Sequence, residues 1–391
     1  MKKFIIVSAV LAAVAFLAVP ELPGTLAAGA RSLFASPPPP EKTLTRAEYY
    51  RFDPASPLED RIKPMPPELF AHYRDMDKDP AYAVYAPSAE DKALVKQYLS
   101  LLPDVYQKVL RERCLGIYFI SNFKGNGITS WAEDKDGKIF FHLTLNPDSL
   151  KKGLSATLTE RESSCFMPRE GWSVKVDAGA RYKGLLYALA HEASHGVDYV
   201  KGVTPWADNE MPASLRPASL GKTAIFFKPF WRDFYVTEKD YDFPLRDKIT
   251  FYGLNGGPRI GFEDAAALYE NLTRGPFASL YGSTSWAEDF AELATFHLLT
   301  TKLGQPYRII LTGPGVSRVF EPMKTVNVMQ RAALVMNDID PGGRHIPPSK
   351  ETGADMKAMD GKMKAVDAEL ERARQLLEKG GKTTKSGRSV K

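Results

Sequence analysis

The sequence predicts an α+β fold: a small sheet in the N-terminal half, a long apolar helix at the middle of the chain, and a mainly helical C-terminal half. Three observations predict it. Residues 116–146 are β-favouring runs broken by Asp136-Gly137, a dipeptide of tight hairpin turns. Residues 182–200 place Leu185, Leu186, Leu189 and Val197 at helical spacing with no proline, and Gly202 offers a stop. Residues 286–297 repeat a helical pattern through Phe290, Leu293 and Phe296.

The elements can be justified in chain order. Met1-Lys2-Lys3 precedes an almost wholly apolar run from Phe4 to Val19, then Pro20 and the small residues Ala28-Gly29-Ala30. This reads as a secretory signal peptide over 1–30. The alternative is an uncleaved anchor, because about 16 apolar residues fall short of the ~20 that span a bilayer. Either places the body outside the cytoplasm, secreted or periplasmic, and the anchor would hold it beside a membrane. Residues 31–44, with Pro37 to Pro40, form an extended spacer.

Residues 45–178 read as an N-terminal helical and β-sheet part. Prolines at 54, 57, 64, 66 and 67 break its start, and Leu94, Val95, Tyr98, Leu101 and Leu102 predict a helix over 88–102. An apolar-polar run follows at 105–110. Strands are expected over 116–123, 128–133 and 138–146, with Asp134 to Gly137 as the turn; the later oxygen ligands of a calcium loop are missing there.

Residues 179–350 form the core that carries the chemistry. Between 203 and 260 it is rich in aromatics, Phe226, Phe227, Phe230, Trp231, Phe234 and Tyr235 among them, a density that points to core packing. Asn255-Gly256-Gly257 is a turn and not a phosphate loop, since no lysine and helix start follow in order. The last stretch, 351–391, pairs a heptad stripe from Met356 to Leu377 with a basic tail, and the stripe is short enough to pack on its own domain.

Charge and cysteine usage exclude some functions. The tail from Lys379 carries +5 and residues 1–30 carry +1, so of the net +5 only −1 remains on the body. That argues against nucleic-acid binding. Cys114 and Cys165 allow one disulfide or remain buried thiols, and neither has a second ligand at metal-binding spacing.

The chemical signal is His191-Glu192-Ala-Ser-His195. Positions four apart share a helix face, so both imidazoles can reach one zinc ion while Glu192 stays free to take a proton from a water the metal has acidified. Catalytic zinc needs a third protein ligand. Metzincins would require Gly at 198 and His at 201, where this chain has Asp198 and Lys201. The downstream helix offers Glu288 and Glu292, one turn apart: one can bind metal while the other accepts from the outer nitrogen of a ligand histidine. His142 and His297 read as structural, and His72 and His345 lie in loop-like surroundings.

Together, His191-Glu192-x-x-His195-Gly-Val-Asp198 and Tyr281-Gly-Ser-Thr-Ser-Trp-Ala-Glu288-x-Phe-Ala-Glu292 resemble the anthrax lethal factor type of zinc peptidase, a gluzincin. The resemblance covers about residues 180–300. It implies a zincin-like catalytic domain with the sheet above the motif helix and one zinc ion per chain. It also implies His191, His195 and Glu288 as ligands, Glu192 as general base, Tyr281 as donor to the oxyanion, and Glu292 behind a ligand. The 92 residues between His195 and Glu288 exceed the expected spacing, so residues 203–260 leave substrate choice open. The expected function is exported endopeptidase activity on a peptide or protein substrate. The same residues would serve a zinc amidase acting on cell-wall peptide, or a non-enzymatic zinc-containing binding module. The oligomeric state is not set by the sequence.

Overall fold

Helix starts in the N-terminal part follow from local chemistry. Helix α1 (Pro67–Asp77) begins on a proline, whose missing N–H costs nothing in a first turn. Helix α2 (Ala89–Leu99) opens with a capping box: Ser88 Oγ accepts from Asp91 N and the Asp91 carboxylate accepts from Ser88 N. The predicted extension to 102 fails because Leu102 precedes Pro103, which disfavours helical backbone before it. The run at 105–110 instead belongs to a separate helix, α3 (Asp104–Arg113).

The computed structural model describes residues 43–217 and 227–342. The signal-like segment, most of the proline-rich spacer, Phe226, His345, and the stripe and basic tail of 351–391 lie outside the described residues.

The sheet contains β1 (Ala83–Val84), β2 (Cys114–Ser121), β3 (Gly127–Glu133) and β4 (Ile139–Leu145) in the order β1-β2-β4-β3. The expected hairpin joins β3 and β4 antiparallel, and the Asp134 carboxylate accepts from the backbone of Asp136 and Lys138 in the turn. Strand β2 runs parallel to β4, which leaves β3 on the edge. Residues Cys114 to Ile120 are all buried because both faces of the sheet are covered. Ile117, Phe119, Phe141 and Leu143 join the main core, while Tyr118, Ile120 and Phe140 pack with Tyr50, Leu69 and Tyr73 in a second one.

Helix α4 (Leu154–Ser163) and strand β5 (Ser173–Asp177) lead to the central helix α5 (Leu185–Lys201). Thirteen of the 17 residues of α5 are buried, so this is a core helix rather than a surface one. It lies close against β4: a Cβ built on Gly196 would sit 2.4 Å from the Phe141 ring.

The later chain holds the ribbon β6 (Trp231–Asp233) and β7 (Val236–Thr237), helices α6 (Ala265–Arg274) and α7 (Trp286–His297), strands β8 (Arg308–Gly313) and β9 (Val316–Phe320), and helix α8 (Val326–Ile339). The fold is mixed α+β, as expected, and in its second half helix outweighs strand, although strands are present there too. Strands β8 and β9 form a sheet with β5 in the order β5-β8-β9, their alternating side chains burying Ile309 and Leu311. The β5–β8 pairing also crosses the boundary expected at 178, and all described residues fall in one unit. Cys114 and Cys165 are buried free thiols. Among the described residues no helix is long and apolar enough to cross a membrane.

His142 on β4 is structural. Its ring packs against Tyr50 and Tyr118, and burial lowers its pKa to about 3. Between pH 6.5 and 3 the unfolded chain binds a proton there that the folded chain refuses, so stability falls with pH across that window by up to about 1.4 kcal/mol per unit. His142→Phe should therefore flatten the acid limb of a urea-unfolding series by about one proton; an unchanged slope would exclude His142 as its source.

Candidate metal centre

His191 and His195 stand one turn apart on α5, and α7 packs across that face with Glu288 in its first turn. Ser285 caps α7 by accepting from Glu288 N at 3.2 Å, which fixes where the Glu288 side chain leaves the helix. His191 Nε2 lies 3.1 Å from Glu288 Oε2, His195 Nε2 3.5 Å from the same oxygen, and the two Nε2 atoms 3.3 Å apart. One ligand atom from each residue falls within 4.8 Å of the others, and among the described residues no further His, Cys, Asp or Glu joins the group.

Two imidazoles and a carboxylate suit a divalent transition metal. The surroundings fit one as well. Glu288 Oε2 is buried and meets only these two ring nitrogens, an arrangement that is costly unless positive charge faces it.

Behind the group, Glu292 is fully buried one turn further along α7 and accepts from His191 Nδ1 at 2.9 Å. It also accepts from Tyr187 Oη at 2.6 Å, Arg161 Nη1 at 2.6 Å and Ser279 Oγ at 2.5 Å. Burial alone would raise its pKa, but the Arg161 cation and the bond from His191 hold it at about 2. Burial likewise opposes a proton on His191, yet the Glu288 and Glu292 carboxylates outweigh it and raise that imidazole to about 10, the same pull that would favour a cation.

Glu192, on the same cleft, reaches toward the edge strand. Thr129 Oγ1 donates to Glu192 Oε2 at 2.7 Å, and a Cβ on Gly127 would meet the Glu192 side chain at 2.8 Å, so β3 can lie this close only with a glycine there. Burial raises the Glu192 pKa. The Tyr281 ring stacks on His191 with centroids 5.6 Å apart. Its hydroxyl meets no acceptor among the described residues, and burial and the Glu288 charge keep it protonated.

These groups open into a cleft of about 690 Å³. Strand β3 supplies one wall through Gly127 to Thr129. Residues from the long 203–260 stretch supply the other, through Ile249, Phe251 and Tyr252. The aromatics of that stretch divide in two: Phe227, Phe230, Trp231 and Phe234 are buried, whereas Tyr235 is 58% exposed at the cleft rim.

The structure thus brings together all six residues singled out from the sequence: His191, Glu192, His195, Tyr281, Glu288 and Glu292. Asp198 is not among them; it accepts from Thr204 N and Oγ1 and closes the loop after α5. Sequence reasoning missed Thr129, Gly127, Arg161, Tyr187 and Ser279. Tyr187, four residues before His191, was legible as a same-face neighbour; the others carry no local signal. No family model, curated protein or solved structure matches the chain, so a functional reading rests on these residues.

Thr129→Val should cost about 1–3 kcal/mol in urea unfolding at neutral pH, because a buried carboxylate oxygen loses its donor. A loss under a few tenths would mean that the Thr129 bond does not hold Glu192.

Proposed function

We propose that the chain is an exported zinc-dependent endopeptidase with a zincin-like catalytic core. The observation that carries this reading is the buried Glu288 Oε2, which two imidazole nitrogens and no other donor face, beside a second carboxylate, Glu192, on an open cleft. His191, His195 and Glu288 would hold the metal. Bound there, zinc supplies Lewis acidity, polarising a carbonyl and bringing the pKa of a water toward neutrality.

The rest of the chemistry belongs to the chain. Glu192, with its raised pKa and its Oε2 held by Thr129, takes the proton of the attacking water and returns it to the leaving amine nitrogen. Tyr281, whose hydroxyl is not engaged elsewhere, donates to the carbonyl oxygen as charge develops on it. Strand β3 is an edge, and its free backbone groups can pair with an extended peptide lying in the cleft. The lethal factor resemblance assigns the same roles to these residues. A purely structural zinc is the weaker reading, since such sites close the fourth position with a protein ligand and no further candidate side chain joins the three here among the described residues. The apolar N-terminal segment supports placement outside the cytoplasm.

Metal analysis combined with cleavage of a peptide library tests the reading. Glu192→Gln should lower turnover by about 10²-fold or more while leaving one zinc per chain. Retained activity would remove Glu192 from the base role. Glu288→Ala should lower zinc content, and unchanged stoichiometry would exclude it as a ligand.

A further inference from the structure

Nothing in a site of two imidazoles and two carboxylates calls for an arginine, yet Arg161 lies beneath it with its side chain only 1% exposed. A buried guanidinium is tolerated only when its charge and donors are matched. Here the two terminal nitrogens carry the match, Nε making no hydrogen bond among the described residues, and it is directed at the candidate metal centre. Nη1 donates to Glu292 Oε2 at 2.6 Å and also contacts the Tyr187 hydroxyl, while Nη2 donates to Glu162 Oε1 at 2.8 Å. Glu162 is held in turn by the Tyr269 hydroxyl at 2.7 Å. The guanidinium carbon also lies 5.1 Å from the Tyr187 ring centroid and 5.9 Å from that of Tyr281.

The consequence falls on His191. An arginine can only donate, and Tyr187 and Ser279 also donate to Glu292, so this carboxylate acts purely as an acceptor. The hydrogen between Glu292 Oε1 and His191 Nδ1 therefore sits on the imidazole, so Nε2, the atom facing Glu288, is the nitrogen left to offer a lone pair to a metal. We propose that Arg161 is a positioning residue of the metal centre: acting through Glu292 and Tyr187, it fixes the plane and tautomer in which His191 presents Nε2. The proposal rests on the metal reading but not on peptide hydrolysis.

The test uses the full chain. Zinc affinity is measured by competition with a chromophoric chelator, the visible spectrum of the cobalt-loaded protein is recorded, and the metal-free proteins are melted. Arg161→Gln should weaken zinc binding about 10- to 100-fold and alter the cobalt spectrum, and Arg161→Lys should recover most of the loss. In a Glu292→Gln background, Arg161→Gln should cost little further affinity, because the route to His191 is already cut. Unchanged affinity with a lowered melting temperature, or losses that simply add in the double variant, would overturn the proposal and leave Arg161 a structural residue. Should Arg161→Gln fail to fold, Tyr187→Phe carries the test: a severalfold loss of zinc affinity supports the route through Glu292, and none overturns it. A wild-type protein that binds no zinc overturns both the metal reading and this proposal, whereas one that binds zinc without cleaving peptides overturns only the peptidase reading.

Discussion

The arrangement depends on the burial of one carboxylate. Removing an ionised side chain from water is prohibitive without compensating donors, and Glu292 draws its four from α4, α5 and the turn before α7. Those bonds set α5 against α7, and with that the positions of His191, His195 and Glu288 follow. A second buried ion pair holds α7 on a neighbouring face: Asp289 accepts from both terminal nitrogens of Arg331 on α8 and from the indole N–H of Trp231 on β6. Consecutive acidic residues near the start of one helix thus serve different ends, Glu288 facing the cleft and Asp289 anchoring the helix.

Much of this was legible in the sequence, for reasons that differ by element. The β3–β4 hairpin announced itself through Asp136-Gly137, and α5 and α7 through periodic apolar residues around His191, His195, Glu288 and Glu292. The parallel pairing of β2 with β4 was hidden, because a strand buried on both faces reads as a continuous apolar run with no partner encoded. Strands β8 and β9 were hidden because short alternating segments carry little signal beside long helices. Arg161 was hidden for a deeper reason. Its partner lies 131 residues away, and arginine in a helix ordinarily marks a solvated face.

Among the described residues, acidic side chains outnumber basic ones along the cleft: Asp77, Glu192, Asp208, Asp247 and Glu288 against Lys124 and Arg246. Both of these cations are committed within the protein: Lys124 to the Asp77 carbonyl and the Asp79 carboxylate, Arg246 to Asp242 and the carbonyl of Ser283. Asn126, next to the edge strand, donates to the Tyr252 hydroxyl at 2.6 Å and ties the two walls together. The long 203–260 stretch is therefore part of the cleft's architecture as well as core filling.

The wide sequence separation of the groups around Glu292 has a temporal meaning. His191 and its carboxylate partner are 101 residues apart, and Arg161 lies 131 from the same carboxylate, so a growing chain that has reached only α5 holds the histidine motif, Arg161 and Tyr187 without the carboxylate that links them. Contacts of such long range pay their loop-closure entropy late in folding. The candidate donor set becomes geometrically complete only once α7 has docked, so the partly made chain holds no closed site for a metal.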